Sequence, residues 1–231
     1  MPSAPRPFAA AAVAGVAAAA LMLAGCGSDS PPAAGSSSPA AGSAATGPTI
    51  ECTYSPDGRD PAKQVDPPAS QQPDSGTVTA DLALDAGTIT LELDRAATPC
   101  TVGSFVHLAQ SGYYDDTPCH RLTASPSLSV LQCGDPSGTG RGGPGYAYAD
   151  ETSADMTYPA GTVAMANAGP DTNGSQFFLV YADSTLPPDY TVFGTITGGM
   201  DVLTGIAGKG IDAGGTAPAV PVKIESVTVS G

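Results

Sequence analysis

Positive charge is scarce in this sequence. Eight lysines and arginines face 22 aspartates and glutamates, a formal net charge of −14 over 231 residues. That balance excludes nucleic acid as a partner and any electrostatic grip on anionic lipid, since both need clustered cations. Histidine is almost absent: His107 and His120 are the only two, and no Cys-x-x-Cys occurs, so a zinc site lacks its usual ligand spacing. There is no Gly-x-Ser-x-Gly elbow, and neither histidine has an evident nucleophile, which argues against hydrolases. The run Gly138-Thr139-Gly140-Arg141-Gly142-Gly143 matches the dinucleotide pattern in letters only. Pro144-Gly145 follows where a helix should start, and strands do not alternate with helices. No internal repeat is present, and no metal or organic cofactor is expected.

A long hydrophobic run is missing too. The apolar stretch Phe8 to Ala24, preceded by Arg6, is shorter than the roughly 20 residues that span a bilayer. It has the layout of a secretory signal, with small residues at its end. Leu23-Ala24-Gly25-Cys26 resembles a bacterial lipobox, which implies cleavage after residue 25 and a thioether diacylglycerol on Cys26. A soluble secreted protein or an uncleaved anchor is the alternative. Two or more acyl chains hold a protein on a membrane stably, whereas one does so only marginally. The expected location is extracytoplasmic, lipid-anchored to the cell membrane.

What the chain does contain divides at residues 25 and 76. Residues 27–49 are almost wholly Gly, Ser, Pro, Ala, Asp and Thr, too poor in apolar bulk to fold. Residues 26–76 are therefore expected to be a tether, with 50–76 pinned to the domain if Cys52 forms a disulfide. The folded part is expected over 77–231. Val78, Ala80, Leu82 and Leu84 alternate, then Ile89, Leu91 and Leu93, around Asp85-Ala86-Gly87, predicting a hairpin. Pro99 to Gly112 reads as the main helix, with Thr98 as cap, Val102, Phe105, Val106 and Ala109 on one face, and Gly112 as stop. Further strands are expected at 117–123, 128–134, 161–167, 176–181, 191–197 and 221–229, and a short helix near Met200 to Ala207. Eight short strands with few helices point to a mainly β sandwich or closed barrel. An eight-stranded barrel is filled by its own side chains, so a site must lie on its outside.

Between Asn167 and Gln176 an elaborate polar turn runs straight into Phe177-Phe178-Leu179-Val180-Tyr181. A plain hairpin needs two turn residues, so the loop itself is expected to be used. Together with Cys119-His120-Arg121, Val130-Leu131-Gln132-Cys133-Gly134-Asp135 and Met165-Ala166-Asn167-Ala168-Gly169-Pro170, it resembles the cyclophilin-type peptidyl-prolyl isomerases. The resemblance runs from Thr77 to Val229 in the right order, through Ser104-Phe105-Val106, Gly112-Tyr113-Tyr114-Asp115, Gly143-Pro144-Gly145-Tyr146, Asp150-Glu151 and Thr191-Val192-Phe193-Gly194. It implies a closed eight-stranded antiparallel barrel capped by two helices. It also implies that Arg121 and Gln132 are catalytic, that Ala166, Asn167 and Ala168 offer backbone to an extended peptide, and that Val130, Phe178, Leu186 and Tyr190 hold a proline ring. The partners so implied are proline-containing segments of exported proteins, bound by a monomer.

The sequence departs from that family at several points. Ser129 stands where a phenylalanine usually precedes Val130, and Ala124-Ser125-Pro126-Ser127 reads as an insertion. Thr185 replaces a tryptophan before Leu186, which implies weak cyclosporin binding, and Tyr190 replaces a histidine. Losing one aromatic wall costs about 1.5–3 kcal/mol of proline grip, so activity is expected to fall about 10–100-fold and not to vanish. A tethered peptide-binding or chaperone-like module without useful catalysis is the rival reading, and a purely structural envelope protein a third. The four remaining cysteines favour disulfides outside the cytoplasm, with three possible connectivities. If the strands carrying Arg121 and Gln132 pair across the insertion, Cys119 is expected to join Cys133, leaving Cys52 for Cys100.

Overall fold

The computed structural model of the chain describes residues 47–231. The signal segment 1–25, the lipidation candidate Cys26 and the first part of the tether lie outside the described residues. Three short strands come first, β1 (Thr49–Glu51), β2 (Ser55–Pro56) and β3 (Gln71–Pro73). They are followed by β4 (Thr77–Leu84), β5 (Gly87–Asp94), helix α1 (Pro99–Gln110), β6 (Thr117–Pro118), β7 (Arg121–Leu122), β8 (Val130–Cys133) and β9 (Tyr146–Ala147). The chain ends with β10 (Thr162–Met165), β11 (Phe177–Val180), β12 (Val192–Gly198), helix α2 (Met200–Gly208) and β13 (Lys223–Ser230).

Nine of these strands form one antiparallel sheet in the order β6-β13-β4-β5-β12-β10-β11-β8-β7. The expected closed barrel of eight strands is thus replaced by an open sheet of nine. The reason is local. The strand expected over 117–123 breaks at Cys119-His120, and its halves pair at opposite ends of the sheet: β6 with β13, β7 with β8. Only those two residues separate Pro118 from Arg121, and a chain that short spans about 10 Å at most. The sheet must therefore curl until its end strands are near neighbours. No ladder joins them; the chain itself crosses the gap, and a disulfide from Cys119 to Cys133 on β8 ties it.

Alternation along the strands builds two apolar layers. Val78, Ala80, Leu82, Leu84, Ile89, Leu91 and Leu93 are buried inside the curl. There they meet Phe105, Leu108 and Val102 of α1; Val106, expected on that face, is only partly buried against it. Phe105 stacks its ring within 5.5 Å of Phe177 and Phe193. On β8, β10 and β11 the outward residues are buried as well: Val130, Ala164, Phe178 and Val180 form a second cluster with Tyr158. Strands covered on both faces read as unbroken apolar runs, which explains the Phe-Phe-Leu-Val segment.

The start of α1 is held differently from expectation. Thr98 occupies the cap position without capping, because its hydroxyl donates to the Asp94 carbonyl. The free N–H groups of Cys100 and Thr101 donate instead to the two carboxylate oxygens of Glu151, at 3.0 and 2.8 Å. A carboxylate there also faces the positive end of the helix dipole. At the other end Gly112, at φ 63°, stops the helix as predicted.

Residues 49–73, expected to be pinned if Cys52 formed a disulfide, pack against the rest of the domain. β1 pairs with β3, β2 pairs with β9, and Cys52 is bonded to Cys100 at the start of α1. Tyr54 packs edge-on against Tyr146 and Tyr148 and donates to the Cys100 carbonyl. The packing of this proline-rich, polar segment is supplied by partners elsewhere in the chain.

The Cys52–Cys100 bond closes a loop with a sequence separation of 48, for which the loop-entropy model gives about 4 kcal/mol. A Cys52→Ser, Cys100→Ser protein should lose about 2–4 kcal/mol in urea denaturation. An unchanged midpoint would mean that packing alone secures the segment.

Candidate active site

Strand register places the candidate residues before any side-chain contact is considered. Arg121 lies opposite Gln132, Gln132 opposite Phe178, and Phe178 opposite Ala164, so one row crosses β7, β8, β11 and β10. Their neighbours Leu122, Leu131, Phe177 and Val163 point the other way, into the main core. Alternation therefore sends Arg121 and Gln132 out to the surface that also carries the second apolar cluster.

Side-chain hydrogen bonds then fix orientations along that row. Arg121 Nη1 donates to Gln132 Oε1 at 3.1 Å, Gln132 Nε2 donates to Gln176 Oε1 at 2.9 Å, and Gln176 Nε2 donates to the Gly142 carbonyl at 2.9 Å. Each amide turns its acceptor toward the donor before it. Among the described residues Arg121 forms no salt bridge, so its charge and its other donors are uncommitted.

The far end of this relay is anchored by a buried carboxylate. Asp135 accepts from the N–H groups of Ser137, Gly140 and Gly142, at 2.8, 2.7 and 3.0 Å, and from the Ser137 hydroxyl. A Cβ at Gly142 would lie 2.0 Å from an Asp135 oxygen, so that position has no room for another residue. The glycine run that imitates a dinucleotide motif is thus a cradle for the chain's own carboxylate. Burial pushes the Asp135 carboxyl up, but its hydrogen bonds to Ser137, Gly142 and Gly140 outweigh that and hold it below its usual value. His120, beside Gly140, is held low by burial, which leaves Arg121 as the cation of the row.

Next to the row lies an apolar slot. Val130 and Phe178 form its buried base, and Leu186 and Tyr190 pack partly buried against them. The Phe178 and Tyr190 rings meet edge-on at 5.7 Å. Tyr158 was not anticipated. Its hydroxyl donates to the Tyr190 carbonyl at 3.0 Å and accepts the Tyr190 N–H at 3.1 Å, fixing the wall from behind. Nothing in the sequence around Tyr158 signals that contact across 32 positions. Leu128 was also missed; it leans on the same cluster from the insertion. Ser129 uses its hydroxyl on the Ser125 carbonyl and its N–H on Ser184 Oγ, both at 3.0 Å. Ser129 thus pins the turn at 125–128, and Leu128 adds apolar surface to the cluster.

The edge of the slot is the stretch Ala166–Ala168. The Ala166 N–H donates to the Gln176 carbonyl, the Ala168 N–H to Thr172 Oγ1, and Asn167 Nδ2 to the Asp189 carbonyl at 2.8 Å. Among the described residues the N–H and C=O of Asn167 itself have no partner. That leaves one donor and one acceptor for an extended backbone laid alongside. Gln132, Ala166, Asn167 and Ala168 line one recess, Arg121 bonds to Gln132 beside it, and Val130, Phe178, Leu186 and Tyr190 share the neighbouring apolar cluster, while Cys26 lies outside the described residues.

A curled sheet thus carries an arginine, an apolar cluster and an unpaired backbone edge on one outer surface. Residues 79–229 match the family model for cyclophilin type peptidyl-prolyl cis-trans isomerase/CLD. Over 195 residues the chain is 50% identical to a probable peptidyl-prolyl cis-trans isomerase B of Mycobacterium leprae, covering 77% of this chain and 66% of that protein. Over 193 residues it is 48% identical to its namesake in Mycobacterium tuberculosis, covering 76% and 63%. The chain therefore spans somewhat less than two thirds of the length of these relatives. A crystal structure of a Cryptosporidium parvum cyclophilin type peptidyl-prolyl cis-trans isomerase superposes with a TM-score of 0.61 at 29% identity, covering 68% of this chain and 99% of that one. The chain belongs to the cyclophilin family.

The low Asp135 carboxyl has a pH consequence. Its unfolded-state value is near 3.8 and its folded value lies below that. The stability it contributes is complete well above 3.8 and is lost as pH falls through 3.8 toward the folded value. Asp135→Asn should therefore flatten the dependence of unfolding free energy on pH between about 5 and 2. Parallel curves for parent and variant would show that the loop is held by other contacts.

Proposed function

We propose that the chain is a peptidyl-prolyl cis-trans isomerase acting on extended X-Pro segments of exported proteins. The observation that carries this reading is the row that sets the Arg121 guanidinium, oriented by Gln132, beside the slot of Val130, Phe178, Leu186 and Tyr190. An X-Pro amide resists rotation by roughly 18–20 kcal/mol because nitrogen shares its lone pair with the carbonyl. Catalysis needs no nucleophile and no proton transfer; it needs tighter contact with the twisted amide than with the planar one.

Each part of the groove has a place in that difference. The apolar slot holds the prolyl ring, and the Asn167 backbone holds the chain beside it. Arg121 can donate to the prolyl nitrogen once rotation has freed its lone pair. Arginine suits the role because it stays charged and its donors form a rigid fork. One such charge-assisted bond is worth about 1.5–3 kcal/mol, or about 10–100-fold in rate. The slot, with Leu128 in place of an aromatic wall, is expected to bind proline more weakly than a fully aromatic one.

The location belongs to the same proposal. Leu23-Ala24-Gly25-Cys26 supports cleavage and lipidation, and two disulfides suit an oxidising compartment outside the cytoplasm. There the protein would accelerate the slow X-Pro steps of newly exported chains, which otherwise take tens to hundreds of seconds.

Isomerisation of an Ala-Pro peptide by the oxidised protein tests the activity. Arg121→Ala should lower kcat/KM about 10–100-fold at an unchanged melting temperature. Equal activity in both would overturn the assignment to Arg121. Peptide binding without turnover in either would make the chain a tethered peptide-binding module. Separately, Cys26→Ser should move the protein from the membrane fraction to the soluble fraction; retention in the membrane would remove the lipid anchor.

A further inference from the structure

The groove continues past Gln132 and Gln176 into a recess of about 120 Å³, whose rim carries Arg59 and Arg141. A single water needs roughly 10–15 Å³, so the recess admits the head group of a side chain. Arg59 lies outside the region matched by the family model, which begins at residue 79. It is delivered by the N-terminal segment. Asp57 and Ala62 donate their N–H groups to the carbonyls of Gly145 and Gly143, laying that segment along the loop that ends the polar relay.

The pairing of Arg59 is lopsided. Its Nε and Nη2 are held by Asp57 Oδ2 at 2.9 and 2.7 Å, and its Nη1 reaches the Arg141 carbonyl at 3.4 Å. The Asp57 side chain is only 8% exposed and that of Arg59 is 59% exposed. The anion is turned inward and fixes the cation facing out. Arg141 is exposed and makes no ion pair among the described residues. In a chain with a net charge of −14, two of the four described arginines, Arg59 and Arg141, line this one recess. Across the Asn167–Ala168 edge a second recess of about 570 Å³ carries Asp150 and Asp189 instead. Arginines thus border one recess and aspartates the other.

We propose that Arg59 and Arg141 make the smaller recess a receptor for a carboxylate side chain, so that the chain selects prolyl segments with an Asp or Glu a few residues from the proline. This rests on the peptide-binding reading of the groove. Gln132, Ala166 and Gln176 border the recess next to the slot, and an extended peptide advances about 3.3 Å per residue. The carboxylate is therefore expected within about three residues of the proline, on one side only.

The test measures kcat/KM of the oxidised full chain on Ala-Pro peptides carrying Glu, Ala or Lys in turn at the three positions on each side of the proline. The parent should favour Glu over Lys about 10-fold at one or two positions on a single side, as expected of a charge-assisted bond at a partly exposed site. The preference should shrink in 0.5 M salt. Arg59→Ala should abolish most of it and leave turnover of the all-Ala peptide unchanged, while Arg59→Glu should invert it. Equal rates for Glu and Lys peptides in the parent, or a preference that survives loss of both Arg59 and Arg141, would overturn the proposal. A fall on the all-Ala peptide as large as on the Glu peptide would do so as well, by making Arg59 a support of the loop. Should no peptide turn over, the isomerase reading fails alone, and Kd values of the same labelled peptides decide the selectivity.

Discussion

The Gln132 side-chain amide accepts a hydrogen bond from Arg121 and donates one to Gln176, and the geometry of the groove depends on that arrangement. An amide has one acceptor and two donor hydrogens, so its orientation is set once Gln176 presents an oxygen. Gln176 in turn is set by the Gly142 carbonyl, and Gly142 by the buried carboxylate of Asp135. A charge with no surface exposure thus specifies, through three intermediaries, where a half-exposed guanidinium points. Hydrogen bonds in such chains polarise one another inside a protein. The same chain holds Arg121 without an acidic partner, so its charge stays unpaired.

The apolar architecture serves that arrangement from both sides of the sheet. Phe177, Leu179, Leu131 and Met165 face the main core, while Phe178, Val180, Val130 and Ala164 face outward into a smaller cluster. A strand buried on both faces cannot slip by one residue without exchanging its two sets. The register that sets Arg121 opposite Gln132 and Gln132 opposite Phe178 is thereby defended by packing on two fronts. The Tyr158 hydroxyl, bridging the N–H and C=O of Tyr190, extends that stiffness to the slot's outer wall.

Much of this was legible in the sequence, and the failures have a common origin. The hairpin of β4 and β5 and the Gly112 stop follow from local chemistry, and so does the two-sided burial of Phe177–Val180. Arg121, Gln132 and Phe178 came from motif resemblance, and alternation then explains why they share a face. What remained hidden depends on partners distant in sequence. Glu151 caps a helix that starts about fifty residues earlier. The break at Cys119-His120 carries no glycine or turn signal, because the curl of the whole sheet imposes it. In residues 49–73 Cys52 signalled a link to the domain, whereas the pairing of β2 with β9 and the packing of Tyr54 on Tyr146 and Tyr148 depend on partners far along the chain. Arg59 was passed over for the same reason, since a residue in a supposed tether has no address.

The crossing between β6 and β7 also bears on how the molecule assembles. Two residues connect strands at opposite ends of a nine-stranded order, and the strands between them are joined by pairings between distant parts of the chain, such as β13 with β4 and β12 with β5. Sheets dominated by such distant pairings form slowly. Arg121 is the first residue beyond the crossing, and its partner Gln132 lies one position before Cys133, which the crossing disulfide holds. The pairing of Arg121 with Gln132 is local, whereas the apolar cluster draws on residues as far along as Leu186 and Tyr190. A half-folded chain of this kind carries the arginine and the slot as unrelated pieces, and gains them as a site only when the protein is complete.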